Sequence, residues 1–181
     1  MVTQLDVARE ALAQIGTRSN IISLSDGSAE ATYINLLYGP IRDFLLVDGD
    51  YDWSMVSLVS PVDQPGVPQP WLFSYECPTD ALRIRQLIPG AFDRLDPHPI
   101  EWNVIYHQGG TRSILTSFAV GEMLYTASAI PEAVWDPMFR QSFVRMLASA
   151  LAFALENRIE ASKVKLDEAL GFAGITKLRD I

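Results

Sequence analysis

The sequence predicts an α+β protein: a four-helix bundle, with two N-terminal and two C-terminal helices, and an antiparallel β insertion between its halves. Three observations predict it. Of 11 prolines, nine fall between Pro61 and Pro131, and none lies before Pro40 or after Pro137, so the ends are free of helix breakers and the middle is not. Both ends carry apolar residues at helical spacing. The middle alternates apolar and polar residues and contains a paired-glycine turn. The boundaries this implies are 1–50 for the first helices, 51–130 for the insertion, and 131–181 for the last helices and a tail.

The first helix is expected over Thr3 to Ile15. Thr3 caps it, Asp6 sits near its positive end, and Leu5, Ala8, Leu12 and Ile15 form one apolar stripe. Gly16 stops it. A second helix is expected from Ser25 or Asp26 to about Val47, with Ala31, Ile34, Leu37 or Tyr38, Ile41, Phe44 and Leu45 in helical register. Pro40 should kink or split it near Gly39.

Strands follow. Trp53 to Val59 and Trp71 to Tyr75 flank a proline-rich loop, Pro61 to Pro70. Leu82 to Ile88 alternates, with Leu82, Ile84 and Ile88 on one side and Arg83 and Arg85 on the other. Pro89 to Pro99 is a second loop. Trp102 to His107 and Arg112 to Phe118 flank Gln108-Gly109-Gly110-Thr111, a hairpin signal, and Glu122 to Ala129 is the last strand. Asp136-Pro137 opens a third helix as cap and first-turn proline. Phe139, Phe143, Leu147 and Leu151 should be its centre, surrounded by small alanines. A fourth, more charged helix is expected over Glu160 to Leu170.

The chain has 181 residues, 49% hydrophobic and 20% charged, which is long and apolar enough for a sizeable core. The net charge of -8 argues against sequence-independent nucleic-acid binding, which relies on cations, and against docking on an anionic membrane. The acidity is uneven. Residues 1–60 carry three basic and eight acidic groups, residues 61–130 four and seven, and residues 131–181 seven of each. The one cysteine, Cys77, cannot form an intrachain disulfide. With only His98 and His107 beside it there is no zinc set, and it reads as an inert thiol. Asp48, Asp50 and Asp52 resemble the start of a calcium loop, but Trp53 and Val59 stand where glycine and glutamate are required. No phosphate loop, zinc-protease or nucleophile-elbow motif is present, and no cofactor, metal or catalytic residue is expected.

An ordered series of short motifs carries a resemblance. The chain reads "ALAQIG" (Ala11 to Gly16), "ISLSDGSAEA" (Ile22 to Ala31), "YGPIRDFLL" (Tyr38 to Leu46), then Trp53. It continues with "WLFSYECPTDALRIRQL" (Trp71 to Leu87), "LYTA" (Leu124 to Ala127) and "WDPMF" (Trp135 to Phe139). In this order the chain resembles the head-to-tail adaptor (tail tubular protein A) family of short-tailed bacteriophages over nearly its whole length. Pro40, the proline-rich loop and the short C-terminus depart from the family pattern.

The resemblance implies a non-enzymatic, structural virion protein of the tail neck, assembled in the host cytoplasm. It would form a dodecameric ring joining the phage portal to the tail nozzle (tubular protein B-like), with tail fibre proteins as further neighbours. DNA would pass through the channel without specific binding, and no membrane is involved. An acidic wall suits that task, because it repels phosphates at the close range, about 8 Å, that screening leaves. The candidate partner contacts are the hairpin tip, His107, Gln108, Gly109, Gly110, Thr111 and Arg112, and the C-terminal residues Ile175, Lys177, Arg179 and Ile181. The C-terminal residues are assigned to the portal side by analogy. The alternatives are another head-completion or minor tail protein, or a small acidic α+β ligand-binding or enzyme domain.

Overall fold

A computed structural model describes residues 2–17, 21–49, 51–59, 61–63, 65–90, 100–107, 110–156 and 167–169. The chain divides into two compact units, one of residues 1–54 with 129–181 and one of residues 55–128.

The first unit contains α1 (Gln4–Gln14), α2 (Ala29–Gly49) and α3 (Pro137–Glu156), with short 3-10 turns at Asp52–Ser54 and Glu132–Val134. Thr3 caps α1 in a closed box. Its hydroxyl accepts from Asp6 N at 3.3 Å, and its own amide donates to Asp6 Oδ2 at 3.0 Å. The Thr3 hydroxyl also donates to Asp6 Oδ2 at 2.7 Å, and this bond, followed by the amide one, holds the Asp6 carboxyl below its usual pKa. Gly16 takes the left-handed conformation that ends the helix. The connector is pinned at both ends: Arg9 donates to Ile21 O at 2.9 and 3.1 Å, and Asn35 Nδ2 donates to Leu24 O at 2.7 Å.

α2 begins three residues later than Asp26. Asp26 instead accepts from the amide and hydroxyl of Ser28, and the Ser28 hydroxyl accepts from Ala31 N at 3.1 Å. The serine is therefore the cap and the aspartate turns the chain into it. α2 is not split at Pro40. Pro40 lies on the exposed side next to exposed Leu36, where water can serve the Leu36 carbonyl that a proline nitrogen cannot. α3 opens on Asp136, whose carboxylate accepts from Met138 N at 2.7 Å.

α3 is the centre of this unit, because α1 and α2 each pack on it. Phe139, Phe143, Leu147 and Leu151 form one fully buried ridge, and Val144, Ala148 and Ala152 form a second. The alanines leave room for close helix approach.

The expected four-helix bundle is not the arrangement found. The fold is a sheet-rich α+β structure with two three-stranded antiparallel sheets. The physical reason is in α3, whose two apolar ridges are already covered by α1 and α2. Of the expected fourth helix only 167–169 lie within the described residues. They are helical, with Ala169 buried and Glu168 paired to Arg145 at 3.1 Å.

The second unit contains β1 (Met55–Val59), β2 (Phe73–Glu76), β3 (Ala81–Pro89), β4 (Trp102–Tyr106), β5 (Arg112–Thr116) and β6 (Val120–Ala127). The order is β1-β6-β3 in one sheet and β2-β5-β4 in the other, and among the described residues only β4 and β5 are both consecutive and paired. The insertion is therefore two sheets and not one. Hydrogen bonds join them: Val120 N donates to Tyr75 Oη at 2.9 Å, and Arg112 donates to Ala81 O at 2.7 Å.

The simple alternation expected in β3 also fails. Its register against β6 shifts between Ala81 and Arg83, between Ile84 and Gln86, and between Ile88 and Pro89. Each bulge flips the phase, so Ala81 and Leu87 are the buried positions while Leu82, Ile84 and Ile88 are only partly covered. At the last shift the extra residue is Gly121 on β6, where a side-chain carbon would come 2.9 Å from Gly90 Cα.

Candidate functional site: surfaces for partner contact

The hairpin forms in the expected place. β4 and β5 pair from Trp102↔Thr116 to Tyr106↔Arg112 without a break. His107 N donates to Thr111 O at 2.9 Å, and Gly110 N donates to His107 O at 3.1 Å. Gly110 supplies the positive φ of +85° that this tight turn requires. His107 Nε2 lies 2.9 Å from the buried Ser113 Oγ, so the imidazole is tied to the strand behind it. Gly110 and Thr111 are exposed.

Arg112 belongs to a different site from the turn. Its guanidinium donates to Ala81 O at 2.7 Å and to Pro78 O at 3.4 Å, and its carbonyl accepts from Cys77 N. It clasps the turn between β2 and β3, the Cys77-Pro78-Thr79-Asp80 segment of the family-like motif. In the same turn Asp80 accepts from Tyr125 Oη at 3.3 Å and from Ser128 N at 2.9 Å. Burial, and then the Asp80 carboxylate, push the Tyr125 phenol up. Burial also pushes the Cys77 thiol up, with Arg112 opposing, so the sulfur stays protonated and is a poor nucleophile. Of the remaining expected contacts, Gln108, Gly109, Ile175, Lys177, Arg179 and Ile181 lie outside the described residues. So does Asp50 of the acidic triplet, and among the described residues no three acidic, histidine or cysteine side chains gather as metal ligands.

A groove of about 370 Å³ runs between β3 and β4, the outer strands of the two sheets on this side. Trp102, Val104, Tyr106, Arg83 and Arg112 line it. Tyr106 is 74% exposed, so the strand offers apolar surface to solvent.

In the helical unit a wider groove of about 880 Å³ lies between α1 and the start of α3, lined by Glu10, Ala13, Trp135, Met138 and Arg140 among others. Arg140 bridges it through an ion pair with Glu10. Arg140 Nε is buried with no partner among the described residues. Beneath the groove lies an aromatic cluster. Trp135 contacts Phe139 and Phe143 with ring centres 5.0 Å apart, and Tyr38 meets Phe143 edge-on at 4.7 Å. Tyr38 donates to Glu132 Oε1 at 3.1 Å. Burial, and then the adjacent carboxylate, hold this phenol far above its ordinary range, so it stays a neutral donor. Trp135 is therefore a core anchor, with its Nε1 donating to Ile130 O at 3.2 Å.

The surface that periodicity missed is the outer face of α2. Ile34, Tyr38 and Leu45 are buried, yet Leu36 is 66% and Phe44 55% exposed, with Pro40 between them. Phe44 was expected to face inward. The available signal was that α2 carries large apolar residues on both of its faces, more than one buried stripe accounts for. Arg42 and Asp43, the helix pair of the family-like motif, bond to each other at 2.8 Å on this helix. Half-buried at the surface, the pair contributes about 0.2–1 kcal/mol.

No protein-family model matches the chain, and no curated protein matches it.

Proposed function

We propose that the chain is a structural virion protein, a ring-forming adaptor that joins a phage portal to the tail nozzle and lets DNA pass through its bore. The observation that carries this reading is the outer face of α2. Leu36, Pro40 and Phe44 form an exposed apolar line, one helical turn apart, on a helix whose opposite face is already core. Contiguous exposed apolar surface on a folded body marks contact with another protein. The ordered motifs support the same reading, since "DGSAEA" falls on the capped start of α2 and "WDPMF" on the capped start of α3. The excess of carboxylates in residues 1–130 suits a channel part that lets DNA slide and does not hold it.

The test is to mix the purified chain with the portal protein of its own phage and follow the mixture by sedimentation and negative-stain microscopy. Rings attached to the portal are expected, and Leu36→Asp with Phe44→Asp should reduce attachment at least tenfold. A wild-type chain that stays monomeric beside the portal overturns the adaptor reading. Full attachment of the double variant overturns the role of α2.

A further inference from the structure

Among the described residues four strands stand at sheet edges, and they are not alike. β2 has only four residues, and its outer side is met by the 62–63 segment: Glu76 N donates to Val62 O at 2.8 Å, and Asp63 bridges to Tyr75. β3 carries Arg83, Arg85 and three register shifts. Short length, charge and bulges are the devices that keep an edge from pairing with another chain. β1 and β4 have none of them. Each has five residues in an unbroken register, against β6 and β5 respectively, and neither has a proline. Among the described residues nothing bonds to the outer backbone of either strand.

Charge separates the same two strands from the rest. β1 reads MVSLV and β4 reads WNVIY, with no side chain of the Asp, Glu, Lys or Arg type, whereas β2 carries Glu76 and β3 two arginines. Copies of a chain with net charge -8 repel one another, so they approach most easily where neither contributes charge. Both strands also offer apolar side chains: Val59 is 68% and Tyr106 74% exposed.

We infer that β4 of one copy pairs edge to edge with β1 of the next. The contact joins two different edges, so it is head-to-tail and leaves one open β1 and one open β4 on every growing assembly, the condition for ring closure. The two sheets it links become one continuous intermolecular sheet, in the order β2-β5-β4 and then β1-β6-β3 of the neighbour. The main-chain ladder supplies affinity, and Val56, Leu58, Val104 and Tyr106 supply fit. This pairing rests on the ring reading above and names its subunit contact.

The experiment uses the full chain with Cys77→Ser and new thiols at Ser57→Cys and Val104→Cys, the middle positions of the two strands. A short bis-maleimide is added with and without the portal protein, and products are separated on a denaturing gel. A ladder of linked copies is expected from the double variant and not from either single variant. Tyr106→Lys, added to the double-thiol variant, charges the edge and should abolish the ladder while circular dichroism stays that of the wild type. A ladder that forms without portal attachment keeps the pairing and overturns the adaptor role. Portal-bound rings without a ladder, or with the same ladder in a single variant, overturn the pairing. Loss of both overturns both.

Discussion

The ring of Tyr51 fills the space above Gly49, so that a side-chain carbon on Gly49 would lie 2.0 Å from Tyr51 Cε2. Tyr51 is fully buried there, stacked on Trp53 at 5.3 Å and edge-on to Phe139 at 5.2 Å. The end of α2 is thereby locked onto α3 through a glycine that nothing larger can replace. Gly49→Ala should lower stability by about 1–3 kcal/mol, the range for overpacking a filled core. Gly39, in the same helix, faces open space, and Gly39→Ala should stabilise by about 0.5–1 kcal/mol. Thermal melts of the two variants check both signs. A Gly49→Ala protein as stable as the wild type would mean that Tyr51 is free to move aside.

The Tyr38 phenol gives the fold an alkaline limit. Its pKa in the folded state is raised above the ordinary 10.0, first by burial and then by Glu132. A raised pKa contributes stability below the unfolded value, and that contribution is lost as pH rises above it. Melting temperature should therefore fall above about pH 10, with Tyr125 adding in the same direction. Tyr38→Phe should cost about 1 kcal/mol at neutral pH for the lost hydrogen bond. It should also flatten the alkaline fall, and an unchanged slope would show that Tyr38 does not set the limit.

Leu147 is the middle of the buried α3 ridge. Leu147→Ala should cost about 2–5 kcal/mol through lost burial and the cavity left behind. Leu147→Asp should give no soluble protein, because it places an unpaired charge in the core. Normal soluble yield of the aspartate variant would contradict the packing of α3.

Arg112 should matter for folding and not for partner contact. Arg112→Met removes two donors from the Ala81 and Pro78 carbonyls and should lower stability by about 1–3 kcal/mol. Lysine should recover only part, since it lacks the planar fork. If Arg112→Met melts like the wild type yet attaches less to the portal, the residue is a contact after all.

What was legible in the sequence was local. Thr3 with Asp6, Asp136 with Pro137, and Gly110 in the hairpin turn each act within a few residues, so the chain states them directly. What was hidden depends on partners distant in sequence. β1 and β3 both pair with β6, and no feature of Met55 or Ile84 specifies Thr126 or Tyr125 as its neighbour. The bulges in β3 likewise come from fitting that partner, so Leu87 replaced Ile88 as an inner position. Periodicity placed Phe44 in the core because a helix apolar on both faces gives no phase to read. The hairpin follows from residues next to one another, whereas the clasp made by Arg112 does not, because the carbonyls it holds lie at the start of β3 and in the turn before it.

Met55 opens the sheet unit, and its register partner Thr126 lies two residues from the unit's end. Paired residues of this kind sit about 5 Å apart, so the chain enters and leaves the sheets through a single doorway. The whole segment is thus a cassette: it can be cut out and its ends rejoined by a short turn without stretching what comes before or after. A gene in this form can exchange one block for another of different size or binding preference while α1, α2 and α3 keep their own packing.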